Sequence, residues 1–147
     1  MGPFGMCVLS YDFIEDSQDH PSMDGWLMIL KQIGRIHSLN YVHGDLLPRN
    51  VLFRGRKEGF VIDFDLSRKE GELYVKGYNY VDFTEFRHKD ARAGHPMQKE
   101  HDVYSLCQMS KAFFDIGSHF DGVQTIEALI DQFQTNEFAC NSEFKVG

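Results

Sequence analysis

Apolar residues return at three- and four-residue steps at Trp26, Ile29, Leu30, Ile33 and Ile36, with His37 on the same stripe. That period predicts an amphipathic helix over 23–39, with Asp24 placed to cap it and Asn40 to stop it. Two short apolar runs follow, Val51-Leu52-Phe53 and Phe60-Val61-Ile62, separated by a glycine-bearing stretch from Arg54 to Gly59. They predict an antiparallel hairpin. Leu73-Tyr74-Val75 reads as a further short strand, and 76–98 as a long ordered loop without periodicity. A second stripe, Val103, Leu106, Cys107, Ser110, Phe113 and Phe114, predicts a helix over 99–115, and a third predicts one over 122–134. Upstream, Met6 to Ile14 reads as a strand or extended segment and Glu15 to Asp24 as a loop. The expected fold is mainly α with a small antiparallel β-hairpin (α+β), one domain over 1–147.

Composition narrows this picture. With 42% hydrophobic and 25% charged residues, the chain has enough apolar surface to fold, which argues against disorder. A net charge of −7 argues against nucleic acid as a partner. The one basic run, Arg54-Gly55-Arg56-Lys57, reads as a solvated turn. Cysteines stand at 7, 107 and 140 with no CxxC pair, so no disulfide framework or zinc site is expected, and a reducing intracellular compartment (cytoplasmic or nuclear) fits. No apolar run reaches membrane-spanning length, and the start lacks the features of a signal peptide.

The chemistry gathers in three places. His43-Gly44-Asp45-Leu46-Leu47-Pro48-Arg49-Asn50 lies between the first helix and the hairpin. A loop of that spacing can aim a carboxylate and an amide at one point, between a helix before it and a strand after it. Val61-Ile62-Asp63-Phe64-Asp65 leaves the hairpin's second strand. Glu100-His101-Asp102-Val103-Tyr104-Ser105-Leu106 opens the second helix. His88, His95 and His101 have no standard zinc spacing and are expected as loop or surface histidines.

In order and spacing these segments resemble the catalytic loop, the D-F-G loop and the central-helix start of protein kinases, over about 26–114. Asp45, Arg49, Asn50 and Asp63 carry the resemblance at the site, with catalytic and metal loops over 43–65: it implies Asp45 as the acceptor of the hydroxyl proton, Asn50 and Asp63 as magnesium ligands, and Asp102 as the acceptor of backbone N–H bonds from the catalytic loop. It implies a kinase-like C-terminal lobe, ATP and Mg2+ as cofactors, and a protein substrate with a Ser or Thr hydroxyl. Gly77-Tyr78-Asn79 and Arg87-His88 add a finer likeness to the Crinkler-type kinase domains of fungi and oomycetes. The HGD and IDFD variants also resemble aminoglycoside and choline kinases, so a small-molecule kinase is a rival reading, and a non-catalytic kinase-like binding module is another.

Several departures shape the expectations. No glycine-rich phosphate loop and no strand lysine is present in the sequence, residues 1–15 read as hinge-like, and the N-terminal lobe is expected to be largely absent. Weak turnover by this chain alone is expected, with a dimer or an N-lobe-supplying partner as candidates to complete it. Gly44 replaces the Arg of H-R-D, so switching by phosphorylation of the loop is not expected, since the charge partner is gone. Asp65 replaces the Gly of D-F-G and is expected to restrict the loop. Arg49 is either a phosphate contact or a surface residue. His43 is expected to pack beneath Phe64 and bond backbone.

Overall fold

The computed structural model describes residues 20–78, 80 and 85–141. The expected strand at Met6 to Ile14 and the hinge-like 1–15 lie outside the described residues. Helix α1 spans Met23–Ser38. Its cap is Ser22, whose hydroxyl accepts from Gly25 N at 3.0 Å, and Asp24 falls in the first turn instead. Asn40 ends the helix region in the left-handed conformation, φ 68°, which asparagine tolerates better than most residues.

The chain then forms strand β1 (Tyr41–Val42), a 3-10 turn (Pro48–Asn50), and the hairpin of β2 (Val51–Arg54) and β3 (Glu58–Val61). Val51 faces Val61 and Arg54 faces Glu58 across the antiparallel register. The basic run lies in the exposed turn, as the sequence implies, with Arg54 and Glu58 paired on both oxygens. A two-residue strand β4 (Arg68–Lys69) pairs antiparallel with β1. The strand expected at 73–75 is reduced to a bridge between Leu73 and Pro96, flanked by irregular backbone bonds from Tyr74 N to His95 O and from Met97 N to Glu72 O. The described residues 72–74 and 94–97 thus lie antiparallel, one stretch folded back on the other.

Helix α2 spans Lys99–Phe113 and helix α3 spans Ile126–Thr135. The third helix starts later than the apolar stripe predicts, because Thr125 caps it by accepting from Ala128 N at 3.2 Å. Val123 still packs on the core, but from a non-helical approach. No described helix is long and apolar enough to cross a membrane.

The core is aromatic where α1, the hairpin and α2 meet. Trp26, fully buried, packs edge-on against Phe113 at 5.1 Å and lies beside Phe53 at 6.4 Å. Its indole N–H donates to Ser110 Oγ at 3.0 Å, which satisfies the polar edge inside the core. The hairpin is also fixed to α1 by polar bonds. Gln32 donates to Gly59 O at 2.8 Å and accepts from Val61 N at 3.0 Å, sealing the edge of β3. The backbones of α1 and β3 touch: a Cβ on Gly59 would lie 2.2 Å from Gly25 O.

That contact gives the first prediction. Gly59→Ala should lower the urea unfolding free energy by about 1–3 kcal/mol through forced separation of helix and strand. Gly34 lies inside α1 with its nearest neighbours, on Ile126 and Ile130, at 3.8 Å, so Gly34→Ala should raise that free energy by about 0.5–1 kcal/mol.

Candidate functional site

Asp102 organises the loop that follows β1. It is buried on α2, and its carboxylate accepts from His43 N at 2.7 Å and from Gly44 N at 3.0 Å. His37, at the end of α1, adds Nε2 at 2.9 Å on the same oxygen as His43 N. Burial by itself would push this carboxyl up. The bond and charge of His37, with His43 and the Gly44 amide, outweigh it and hold the carboxyl below the usual range. The amide bonds match the expectation for Asp102; the His37 bond was not foreseen.

Gly44 has a steric reason that the charge argument missed. Its φ is +85°, and a Cβ there would lie 2.5 Å from Met97 Cε. No side chain fits at 44 unless Met97 moves.

His43 behaves as expected. Its Nδ1 accepts from Asp45 N at 3.1 Å, so Nε2 carries the proton and donates to Ile62 O at 3.0 Å. Its ring meets Phe64 edge-on at 4.9 Å. The Asp45 loop and the segment carrying Asp63 are therefore joined by one imidazole. A backbone bond from Ile62 N to Asn50 O, 2.9 Å, joins them again.

Asn50 is buried, and its amide nitrogen donates to Asp45 O at 2.7 Å and Asp45 Oδ2 at 3.3 Å. With the nitrogen committed, the amide oxygen is the atom left to offer a cation. Asp63 is half-buried in the left-handed region at φ 59°, a conformation that costs a non-glycine residue about 1–3 kcal/mol and collects at functional sites. The strain falls on Asp63 and not on Asp65, whose amide instead approaches Asp63 Oδ1 at 3.4 Å. An amide oxygen and a carboxylate are both hard oxygen donors, the type that magnesium takes.

Asp45 is buried and heavily engaged. Arg87 Nη2 donates to Oδ1 at 2.8 Å from an equally buried position. Tyr78 donates its hydroxyl proton to Oδ2 at 3.0 Å. Arg49, 49% exposed, donates to the Tyr78 hydroxyl at 2.8 Å and lies 4.0 Å from Asp45 Oδ2. The arginine is thus at the surface and at the site together. Neither Arg87 nor Tyr78 was expected at Asp45. The quoted Gly77-Tyr78-Asn79 and Arg87-His88 segments held the signal, without indicating a contact.

His88 and His95 lie in the loop as expected, and His101 departs from expectation. His101 is buried and stacks on His88 at 4.4 Å, with Asp90 nearby as a third group of metal-ligating type, while His95 is exposed and apart. His101 Nδ1 is occupied by the Tyr74 hydroxyl at 2.8 Å. Burial holds His101 below its ordinary range, and burial also pushes the Tyr74 phenol up, so Tyr74 is the donor.

Comparison with known proteins agrees at the level of the superfamily. The profile of the lipopolysaccharide kinase (Kdo/WaaP) family matches residues 13–77. The serine/threonine-protein kinase Kist of Mus musculus and that of Homo sapiens are each 41% identical over 64 residues, 43% of this chain. That match spans 15% of the relatives' own length. These likenesses support a kinase-like superfamily and a phosphotransferase-like function.

Asp102→Ala should destabilise the fold by about 3–5 kcal/mol in urea, since it leaves buried partners without their charge. The pH dependence carries a sign. A carboxyl held low in the folded state stabilises above its unfolded value, about 3.9, and loses that contribution as pH falls through the lower folded value. Asp102→Asn should therefore flatten the acid limb of a stability-versus-pH curve measured by urea titration.

Proposed function

We propose that the chain forms the acceptor-side lobe of a protein-kinase-type phosphotransferase that uses ATP and Mg2+. The observation carrying this reading is the joined pair of loops: Asp45 and Asn50 on one, Asp63 on the other, linked through His43 and the Ile62 backbone. In it, Asp45 takes the proton of the acceptor hydroxyl, and Asn50 and Asp63 hold the cation. Arg49, at the exposed rim, contacts phosphate. When bound, magnesium and ATP supply the transferable phosphoryl group and neutralise its charge. The chain's own task is positioning: Asp102 fixes the loop backbone, Arg87 fixes Oδ1 of Asp45, and the acceptor hydroxyl takes the place of the Tyr78 hydroxyl at Oδ2. A protein hydroxyl is the acceptor in this reading, in keeping with the Kist likeness. The finer likeness to Crinkler-type domains belongs to the same reading.

A second reading has one specific support. The Kdo/WaaP match covers both the Asp45 loop and Asp63, and that family is described by a lipopolysaccharide kinase activity. In this second reading a hydroxyl of a sugar is the acceptor, with Asp45, Asn50 and Asp63 of this chain in the roles given above.

Differential scanning with Mg-ATP tests the nucleotide step. At a hundredfold excess over Kd the native chain should gain about 2.7 kcal/mol, and Asp63→Ala should lose that gain. Asp45→Ala should keep the thermal gain while lowering phosphate transfer from labelled ATP by about 10²–10⁴-fold. Transfer to a protein panel but not to sugars selects the first reading; the converse selects the second. No thermal response together with no transfer overturns both.

A further inference from the structure

Three side chains of metal-ligating type meet just beyond Arg87. His88 and Asp90 lie on the loop and His101 in the first turn of α2. Each offers a donor atom, and these atoms lie within 4.8 Å of one another. Their spacing along the chain follows no zinc pattern; the fold alone brings them together. Zinc takes nitrogen and carboxylate oxygen at about 2.0–2.2 Å, so two donors on a tetrahedral ion stand about 3.4 Å apart. His88 Nδ1 and Asp90 Oδ2 are 3.9 Å apart already.

The buried member is held in place. Tyr74 Oη lies 2.8 Å from His101 Nδ1, and the two rings stack at 5.7 Å. That bond leaves Nε2 for an ion. A phenol accepts as well as donates, so with an ion on Nε2 the Nδ1 proton goes to Tyr74 Oη, the outer bond that ligating histidines usually make. Burial keeps His101 neutral and its lone pair available, while Asp90 and Glu100 bring negative charge to the same ring. The other two members can move. His88 stacks on His101 at 4.4 Å with 24° between the planes. Near-parallel rings do not aim their lone pairs at one ion, so His88 must turn about its side-chain bonds. Its Nδ1 accepts only from the exposed amide of Asp90, at 3.0 Å, and water can take that amide over. The Asp90 side chain is 55% exposed, which gives an ion its entry from solvent.

We propose that His88, Asp90 and His101 form a zinc site, with His101 as the fixed ligand and the two loop residues closing onto it. Imidazole nitrogen suits zinc and its transition-metal neighbours and not magnesium, so the site is chemically separate from the oxygen donors Asn50 and Asp63. Three protein ligands leave the fourth position to water. The ion ties the loop to α2 at one defined place. Arg87, next to His88, bonds Asp45, and Asp102, next to His101, bonds the amides of His43 and Gly44. Zinc therefore braces the two residues that fix the Asp45 loop, whatever reaction that loop serves.

The test uses the full chain, stripped with a chelator and titrated calorimetrically with zinc chloride. One zinc per chain is expected, and excess magnesium should not displace it. Losing a partner behind a ligand costs about 10–100-fold in affinity, so losing a ligand should cost at least as much. His88→Ala and Asp90→Asn, both on the loop, should each weaken binding by at least about tenfold. His95→Ala, at an exposed histidine apart from the cluster, should leave it unchanged. In chain carrying ¹⁵N-histidine, zinc should move the His101 ring proton from Nε2 to Nδ1. No zinc binding overturns the proposal. Binding of unchanged affinity in either loop variant, or a His101 proton that stays on Nε2 with zinc bound, overturns it as well.

Discussion

The candidate site depends on a carboxylate that does no chemistry. Asp102 gathers two consecutive amides, His43 N and Gly44 N, and a histidine from the end of α1 into one buried cluster. A loop of this kind has no ladder of its own to hold it. Amides pointing inward with no partner would each cost about 1–3 kcal/mol, and the charge turns that liability into a fixed geometry. The residues after the amides then have little freedom. Asp45 follows Gly44 directly, and its own amide is taken by His43.

Around that cluster, distant segments are tied by single bonds at matched heights. Asn40 O accepts from Glu70 N, and the Glu70 side chain accepts the first amide of α2, Lys99 N, at 3.0 Å. An acceptor from remote sequence thus caps the helix that carries Asp102, whose own preceding residue, Gln98, makes no side-chain cap. Ser67 Oγ donates to Val42 O at 2.8 Å, which holds the segment after Asp63 alongside β1. The aromatic cluster of Trp26, Phe53 and Phe113 fixes the three supporting elements to one another. Geometry at the site is inherited from packing some distance away.

What the sequence made legible follows from where the forces are local. Helix stripes and the Asp45-to-Asn50 spacing are written within a few residues, so the periodic and motif readings found α1, α2, the hairpin and the loop. Contacts across the chain are not written that way. His37 meets Asp102 across 65 positions and Arg87 meets Asp45 across 42, and nothing at either end specifies the other. β4 went unread because Arg68 and Lys69 are both exposed and carry no alternation. Ser22 displaced Asp24 as the cap because the backbone leaves the extended region at 22. The stripe that ran early into 122–134 mixed two causes, since Val123 is apolar for packing and not for helical period.

Gln32 spends both ends of its amide on one strand, one on a carbonyl and one on an N–H of β3. A strand with open main-chain groups invites foreign chains to add to it, the usual route to unwanted sheet growth and to strand-type docking. Here a single side chain answers those groups from within. With Gly59 O and Val61 N both taken, a visiting strand would have to displace this side chain before it could pair with β3 here.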